Sequence, residues 1–275
     1  MRRSRRRPAS ASERDTQKSA APMGRRREEE EMFGRVFSIL AVLALSACSV
    51  DTIDDGDVNQ EKLYGDYRVT FDDAEKQVRH YVQFRVGGST GTTIRLTEGS
   101  IEYDGNEMSV FDGDEALINL NGTYYRRTYS ADMPNASYTY TWTRGDGQRF
   151  YNIATMPSPF TIAAPLAGDT LPLDVPLTIS LDGDPLGPNE VYSVQIESEA
   201  AMGQNMIAAR SESGTEVIIS ADELSGLPLG PAIIRVSRVR SDAPQAGHAD
   251  VGGRIETQYQ VGEIGVSLVA SQPVG

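Results

Sequence analysis

The chain has 275 residues, with 26 Lys and Arg against 39 Asp and Glu, a formal net charge of −13 at pH 7. The first 47 residues hold 11 of the bases and 6 of the acids, a balance of +5, which leaves −18 on the remainder. So acidic a body repels phosphate backbones and excludes nucleic acid as a partner, while one Cys and two His exclude a disulfide framework, a multi-Cys metal site and most His-based centres.

Residues 1–31 do not read as folded structure. The run from Arg25 to Glu31 is unlike the short basic start of an export signal. It is expected either to be an over-extended reading frame, with translation starting at Met32 or Met23, or to be a disordered basic arm built on Arg2, Arg3, Arg5, Arg6 and Arg7.

From Met32 the pattern changes. Arg35 precedes an apolar run from Val36 to Leu45. A membrane helix needs about 20 apolar residues and a signal-peptide core about 7 to 15, so this run fits the second. It ends Leu45-Ser46-Ala47-Cys48, an aliphatic residue, two small residues and the chain's single Cys. This resembles the lipobox of bacterial lipoprotein precursors. The resemblance covers residues 32–48 and implies a diacylglyceryl group on the Cys48 thiol, cleavage between Ala47 and Cys48, and acylation of the new amine by a fatty acid such as palmitate. At about 0.8 kcal/mol for each buried methylene, two or three chains make a firm membrane anchor where one does not. In such lipoproteins Asp after the lipidated Cys favours retention in the inner membrane; Ser49 stands here, which implies the outer membrane of a Gram-negative host. Residues 48–62, with Asp51, Asp54, Asp55, Asp57 and Glu61 against one Lys, are expected to form a solvated, flexible tether.

Beyond the tether the period is two. Tyr67-Val69-Phe71, Val82-Phe84-Val86, Ile94-Leu96 and Ile101-Tyr103 each alternate with polar residues, the signature of half-buried strands. Asp104-Gly105, Asp112-Gly113, Asn121-Gly122 and Asp146-Gly147 tolerate positive φ and are expected to be hairpin turns. Gly87 to Thr92 reads as a hairpin loop, without the Lys and helix of a phosphate cradle. The composition shifts near Met156-Pro157-Ser158-Pro159: ten of the 12 Tyr and the Trp precede it, and 11 of the 14 Pro lie at or beyond Pro157. Two modules are expected, 63–156 and 157–275. The second alternates at Leu177-Ile179-Leu181, Tyr192-Val194-Ile196, Val217-Ile219, Ile234-Val236 and Tyr259-Val261. Its size and its Pro-rich opening strands resemble immunoglobulin-like modules of bacterial envelope proteins, although Leu181 stands where many of these carry Trp. The expected fold is all-β, two antiparallel β-sandwich modules behind a signal peptide and a tether.

The chemistry-bearing residues are few. No hydrolase elbow, Walker loop, Rossmann fingerprint or zincin helix occurs, and no cofactor is expected. His80 and His248 lack partners at ligand spacing and read as satisfied or solvated side chains. Asp112, Asp114 and Glu115, Asp182 and Asp184, and the Asp54-Asp55-Gly56-Asp57 run are weak Ca²⁺ candidates, none with EF-hand spacing. Arg144-Gly145-Asp146 spells an integrin tripeptide by coincidence of composition. Tyr138, Tyr140 and Trp142 must share one strand face; exposed, they would stack sugars or a partner protein, and buried, they would be core. Thr139, Thr141 and Thr143 between them favour the core, whereas Tyr124-Tyr125 puts a ring on each face and is expected to expose at least one. The leading expectation is a lipid-anchored envelope protein serving as a binding or structural module rather than an enzyme, in contact with the membrane and with envelope proteins or glycans. The alternative is a glycan-binding or glycan-processing accessory using the aromatic face; whether the protein faces the periplasm or the exterior stays open.

Overall fold

The computed structural model describes residues 52–115, 120–199 and 206–270, without the side chains at 114, 115 and 206. Ala47, Cys48 and the apolar run before them lie outside the described residues. The first half contains β1 (Thr52–Asp54), β2 (Leu63–Asp72), β3 (Gln77–Val86), β4 (Thr92–Arg95), β5 (Ser100–Tyr103), β6 (Asn106–Glu107), β7 (Ser109–Glu115), β8 (Leu120–Ser130), β9 (Ser137–Thr143) and β10 (Arg149–Thr155). The second half contains β11 (Phe160–Ala164), β12 (Thr170–Pro172), β13 (Leu177–Gly183), β14 (Glu190–Ser198), β15 (Met206–Ser211), β16 (Glu216–Ile219), β17 (Gly230–Asp242), β18 (Gly253–Gln260) and β19 (Ile264–Val269). One short helix, α1 (Ala221–Leu224), is closed by a capping box between Ser220 and Glu223. The fold is all-β, as the alternating pattern predicts.

A twelve-stranded sheet runs through both halves in the order β1-β4-β3-β2-β18-β17-β14-β15, with β8 and β7 continuing from β3, and β19 and β12 from β17. A four-stranded sheet, β10-β9-β5-β6, packs on its inner face in the first half, and a three-stranded sheet, β11-β13-β16, does so in the second. Period two explains the sidedness: Tyr67, Val69 and Phe71 of β2 and Val78, Val82 and Phe84 of β3 point inward and are buried. Tyr67 meets Tyr140 at 5.3 Å between ring centres and Phe84 meets Trp142 at 5.1 Å, while Phe160 meets Tyr192 at 5.1 Å in the second half. Burying aromatics of this size supplies most of the drive for closing each sandwich.

The halves join in parallel, where only antiparallel pairing was expected. β2 pairs with β18 from Gly65↔Gly253 to Asp72↔Gln260, so the large sheet does not break at the composition boundary. The described residues form one compact unit. Glycine is required at the start of this seam, since a Cβ on Gly253 would fall 2.5 Å from the Gly65 carbonyl oxygen, and one on Gly65 2.5 Å from His248 Nε2.

Two further expectations are corrected. Residues 52–62 are not a free tether: β1 pairs with β4 from Thr52↔Thr93 to Asp54↔Arg95. Asp55 is fully buried there, its carboxylate accepting from the amides of Thr97 (2.7 Å), Glu98 (3.0 Å) and Gly99 (2.9 Å) and from the Thr97 hydroxyl (2.9 Å). An acidic composition disguises a structural carboxylate. Likewise Asp112-Gly113 and Asn121-Gly122 are not turns; Gly113 and Gly122 face each other within the β7–β8 ribbon, both at positive φ. Asp104-Gly105 and Asp146-Gly147 do sit in hairpin turns, between β5 and β6 and between β9 and β10.

Candidate functional site

The aromatic residues singled out in the sequence are all interior. Tyr138, Tyr140 and Trp142 line the inner face of β9, and Tyr125 faces the same core from β8. Tyr124 points to the opposite face, where Tyr81, Leu120 and Phe111 cover it, so the ring expected to be exposed is not. These five side chains offer no stacking platform. Their polar ends are used within the fold: the Tyr138 hydroxyl accepts from Asn135 N at 2.9 Å, and the Tyr125 hydroxyl accepts from Leu96 N at 2.6 Å. Burial raises the Tyr125 hydroxyl to about 12.

Both histidines belong to this core. The Tyr140 hydroxyl lies 3.4 Å from the Arg68 carbonyl, to which it donates, and 2.8 Å from His80 Nδ1, which donates to it. His80 is stacked on Tyr103 at 4.2 Å, and burial lowers it to about 3. His248 comes from the loop between β17 and β18, yet its ring lies parallel to Trp142 at 5.0 Å. Its Nδ1 donates to the Leu63 carbonyl at 2.6 Å, which fixes the tautomer and leaves Nε2 to accept from the Tyr67 hydroxyl at 2.8 Å. Burial lowers His248 as well, against a smaller opposing effect of the Leu63 carbonyl. Beside it Asn152 Oδ1 accepts from Gln245 N and Ala246 N at 2.8 and 3.0 Å, which ties the same loop to the free edge of β10. Neither ring is open to a metal or a substrate.

The carboxylate candidates do not converge. Asp112 is paired with Arg95 and accepts from the Thr123 hydroxyl at 2.6 Å. Asp182 and Asp184 are exposed, and the Asp184 carbonyl accepts from buried Arg238, whose guanidinium is also held by Glu190. The side chains of Asp114 and Glu115 lie outside the described residues. Among the described residues no three His, Cys, Asp or Glu side chains are grouped to hold a metal ion.

A concave surface lies elsewhere, on the outer face of the large sheet. A groove of about 540 Å³ crosses β15, β14, β17, β18, β2 and β3, and so spans the parallel seam between β18 and β2. Register builds its floor: Arg210 pairs with Ser193, Ser193 with Ser237, Ser237 with Gln260, and Gln260 with Asp72. Thr70 lies two pairs along, on the same face and opposite Gln258. Short side chains here sit below long ones at the rims, so Thr70 and Ser237 are buried although they face away from the core. On one wall Arg79 is held by Asp72, Glu75 and Gln77. On the other Arg235 is held by Glu197 and Glu263, each at 2.7 Å. Gln258 donates to the Ser237 hydroxyl at 2.6 Å. The side chains of Thr70, Ser193, Gln195, Gln260 and Arg210 have no hydrogen-bond or ion-pair partner among the described residues. Sequence reading missed these residues because each is an ordinary polar position on an alternating strand. The one available signal was the recurrence of Ser, Thr and Gln where long charged residues would serve solubility.

A second concavity, about 810 Å³, opens at the edge of the first half with Arg95, Tyr125 and Arg127 on its walls. Arg95 and Tyr125 are already engaged within the fold, by Asp112 and by Leu96. The groove is the better candidate because its polar groups are open.

No family model matches the chain, and no curated protein does. Among solved structures it is similar to the fibronectin(III)-like modules of CbhA from Clostridium thermocellum, with 12% identity over 76% of this chain and 91% of that one and a TM-score of 0.26. It is similar too to Dpr11 IG1 bound to DIP-gamma IG+IG2, with 10% identity, 76% and 98% coverage and a TM-score of 0.20. A 1.5-MDa bacterial ice-binding adhesin gives 11% identity, 78% and 67% coverage and a TM-score of 0.23. Likeness at this level says nothing of what this chain binds.

Proposed function

We propose that this chain is a lipid-anchored cell-envelope protein of the outer membrane, whose β body is a binding or structural module rather than an enzyme. The observation that carries the anchor is Leu45-Ser46-Ala47-Cys48 at the end of a ten-residue apolar run. Support comes from where the body starts. Thr52 already pairs in β1, four residues after Cys48. At about 3.3–3.6 Å per residue such a link reaches about 14 Å at most, so lipidation would hold the β1 end of the body close to the bilayer rather than on a long leash. The open polar groove supports a binding role, as a concave surface with side-chain hydroxyls and amides that have no partner among the described residues.

Metabolic labelling with a fatty-acid probe, followed by membrane fractionation, tests the anchor. Wild type should carry label and sediment with membranes, and Cys48→Ala should do neither. Wild-type protein that is unlabelled and soluble would overturn the reading.

A further inference from the structure

We infer that the groove on the outer face of the large sheet binds an extended, uncharged polyhydroxylated chain, a neutral oligosaccharide. The inference rests on the binding-module reading above and names the class of its ligand. Three properties of the groove lead to it.

The first is length. The row Arg210–Ser193–Ser237–Gln260–Asp72 crosses five neighbouring strands, which at about 4.8 Å between strands is about 19 Å. A trough of that length suits an oligomer laid across the strands better than a single small molecule.

The second is the chemistry of the floor. Hydroxyls and primary amides both donate and accept, and those of Thr70, Ser193, Gln195 and Gln260 have no partner within the described residues. A ligand that matches them must offer donors and acceptors in turn along its length, as sugar hydroxyls do.

The third is charge. The lining holds five carboxylates, Asp72, Glu75, Glu197, Glu256 and Glu263, against Arg79, Arg210 and Arg235. Anionic polymers are repelled by this excess and by the −18 body. Most of these charges are already neutralised in place: Arg79 by Asp72 and Glu75, Arg235 by Glu197 and Glu263, and Glu256 by Arg254. Cationic ligands therefore find few free carboxylates. Fixed ion pairs on both walls also preorganise the site, which lowers the ordering cost of binding a flexible chain. Apolar ligands find little to contact, since apart from Tyr81 and Val239 the lining is polar or charged.

The test is calorimetry on the full chain in detergent, using chitohexaose as the neutral probe, chitobiose as its short counterpart, hexalysine as the cationic probe and heparin as the anionic one. Chitohexaose should bind at least tenfold more tightly than chitobiose. Gln260→Ala combined with Arg210→Ala should weaken it at least tenfold, and Ser193→Trp, which fills the trough from a half-buried surface position, should abolish it. Circular dichroism and thermal midpoints close to wild type confirm that the variants fold. No binding of chitohexaose, binding of hexalysine or heparin in its place, or binding unaffected by both groove variants would overturn the inference. Fatty-acid labelling of the same wild-type preparation separates the two readings, since a labelled protein that ignores chitohexaose defeats this inference and leaves the anchor standing.

Discussion

Asp55 shows how much one side chain settles near the N-terminal end of the described fold. Burial raises its carboxyl, but the hydrogen bonds from Thr97, Glu98 and Gly99 outweigh that and hold it below the ordinary 3.8. Its contribution is therefore present above that value and lost as pH falls through the depressed one. Asp55→Asn replaces one acceptor oxygen by a donor facing those amides and should cost about 3 kcal/mol at pH 7, read as a lowered urea midpoint. His80 and His248 act at higher pH. Both are held neutral, below the ordinary 6.5, with His80 near 3. The unfolded chain then takes up protons first, so stability falls as pH drops below about 6.5, by about 1.4 kcal/mol per unit for each ring until its own folded value is reached. Urea midpoints at pH 7, 6 and 5 check this; a flat profile would contradict it. His248→Phe keeps a ring on Trp142 but removes the donor to Leu63 O and the acceptor of the Tyr67 O–H, which should cost about 1–3 kcal/mol at pH 7 and less at pH 5, because the acid penalty of the histidine is removed with it.

At the level of elements, the loop between β17 and β18 is the strap that fastens the second half to the first. Asn152→Ala leaves Gln245 N and Ala246 N without their acceptor, so residues 243–252 should be cut several-fold faster by a nonspecific protease, with fragments mapped by mass spectrometry; an unchanged cleavage rate would show that His248 and the Gln245 side chain on Ile153 suffice. The strands themselves were readable from period two because each buries one face, and the turns at Asp104-Gly105 and Asp146-Gly147 followed from residues that tolerate positive φ. Pairing was not readable. Gly65 and Gly253 lie far apart in the chain, and nothing local says that β2 and β18 run parallel. The groove is invisible for the same reason, since its floor exists only once register lines up Ser193, Ser237 and Gln260. Gly113 and Gly122 misled because a glycine pair facing across a ribbon and a pair of hairpin turns leave the same local signature. Asp55 misled because composition averages over a window, whereas one buried acceptor is decided by the three amides it meets.

Across the whole molecule, one sheet and one continuous apolar core join the halves, from Tyr67 and Trp142 to Tyr192 and Ile234. Unfolding should therefore be a single cooperative step, with Trp142 fluorescence and far-UV circular dichroism tracing the same transition in urea; two separated transitions would mean that the seam is weaker than its eight residue pairs suggest. The body offers an acidic, polar exterior, and the proposed attachment to a membrane rests on the segment that precedes it. Intact-mass spectrometry of the protein extracted from its native membranes addresses that proposal most directly. The expected species is a chain that begins at Cys48 and carries the added mass of a diacylglyceryl group, with or without a further acyl chain on the new amine. A mature chain that retains residues before Cys48 and has no lipid on the thiol would contradict it.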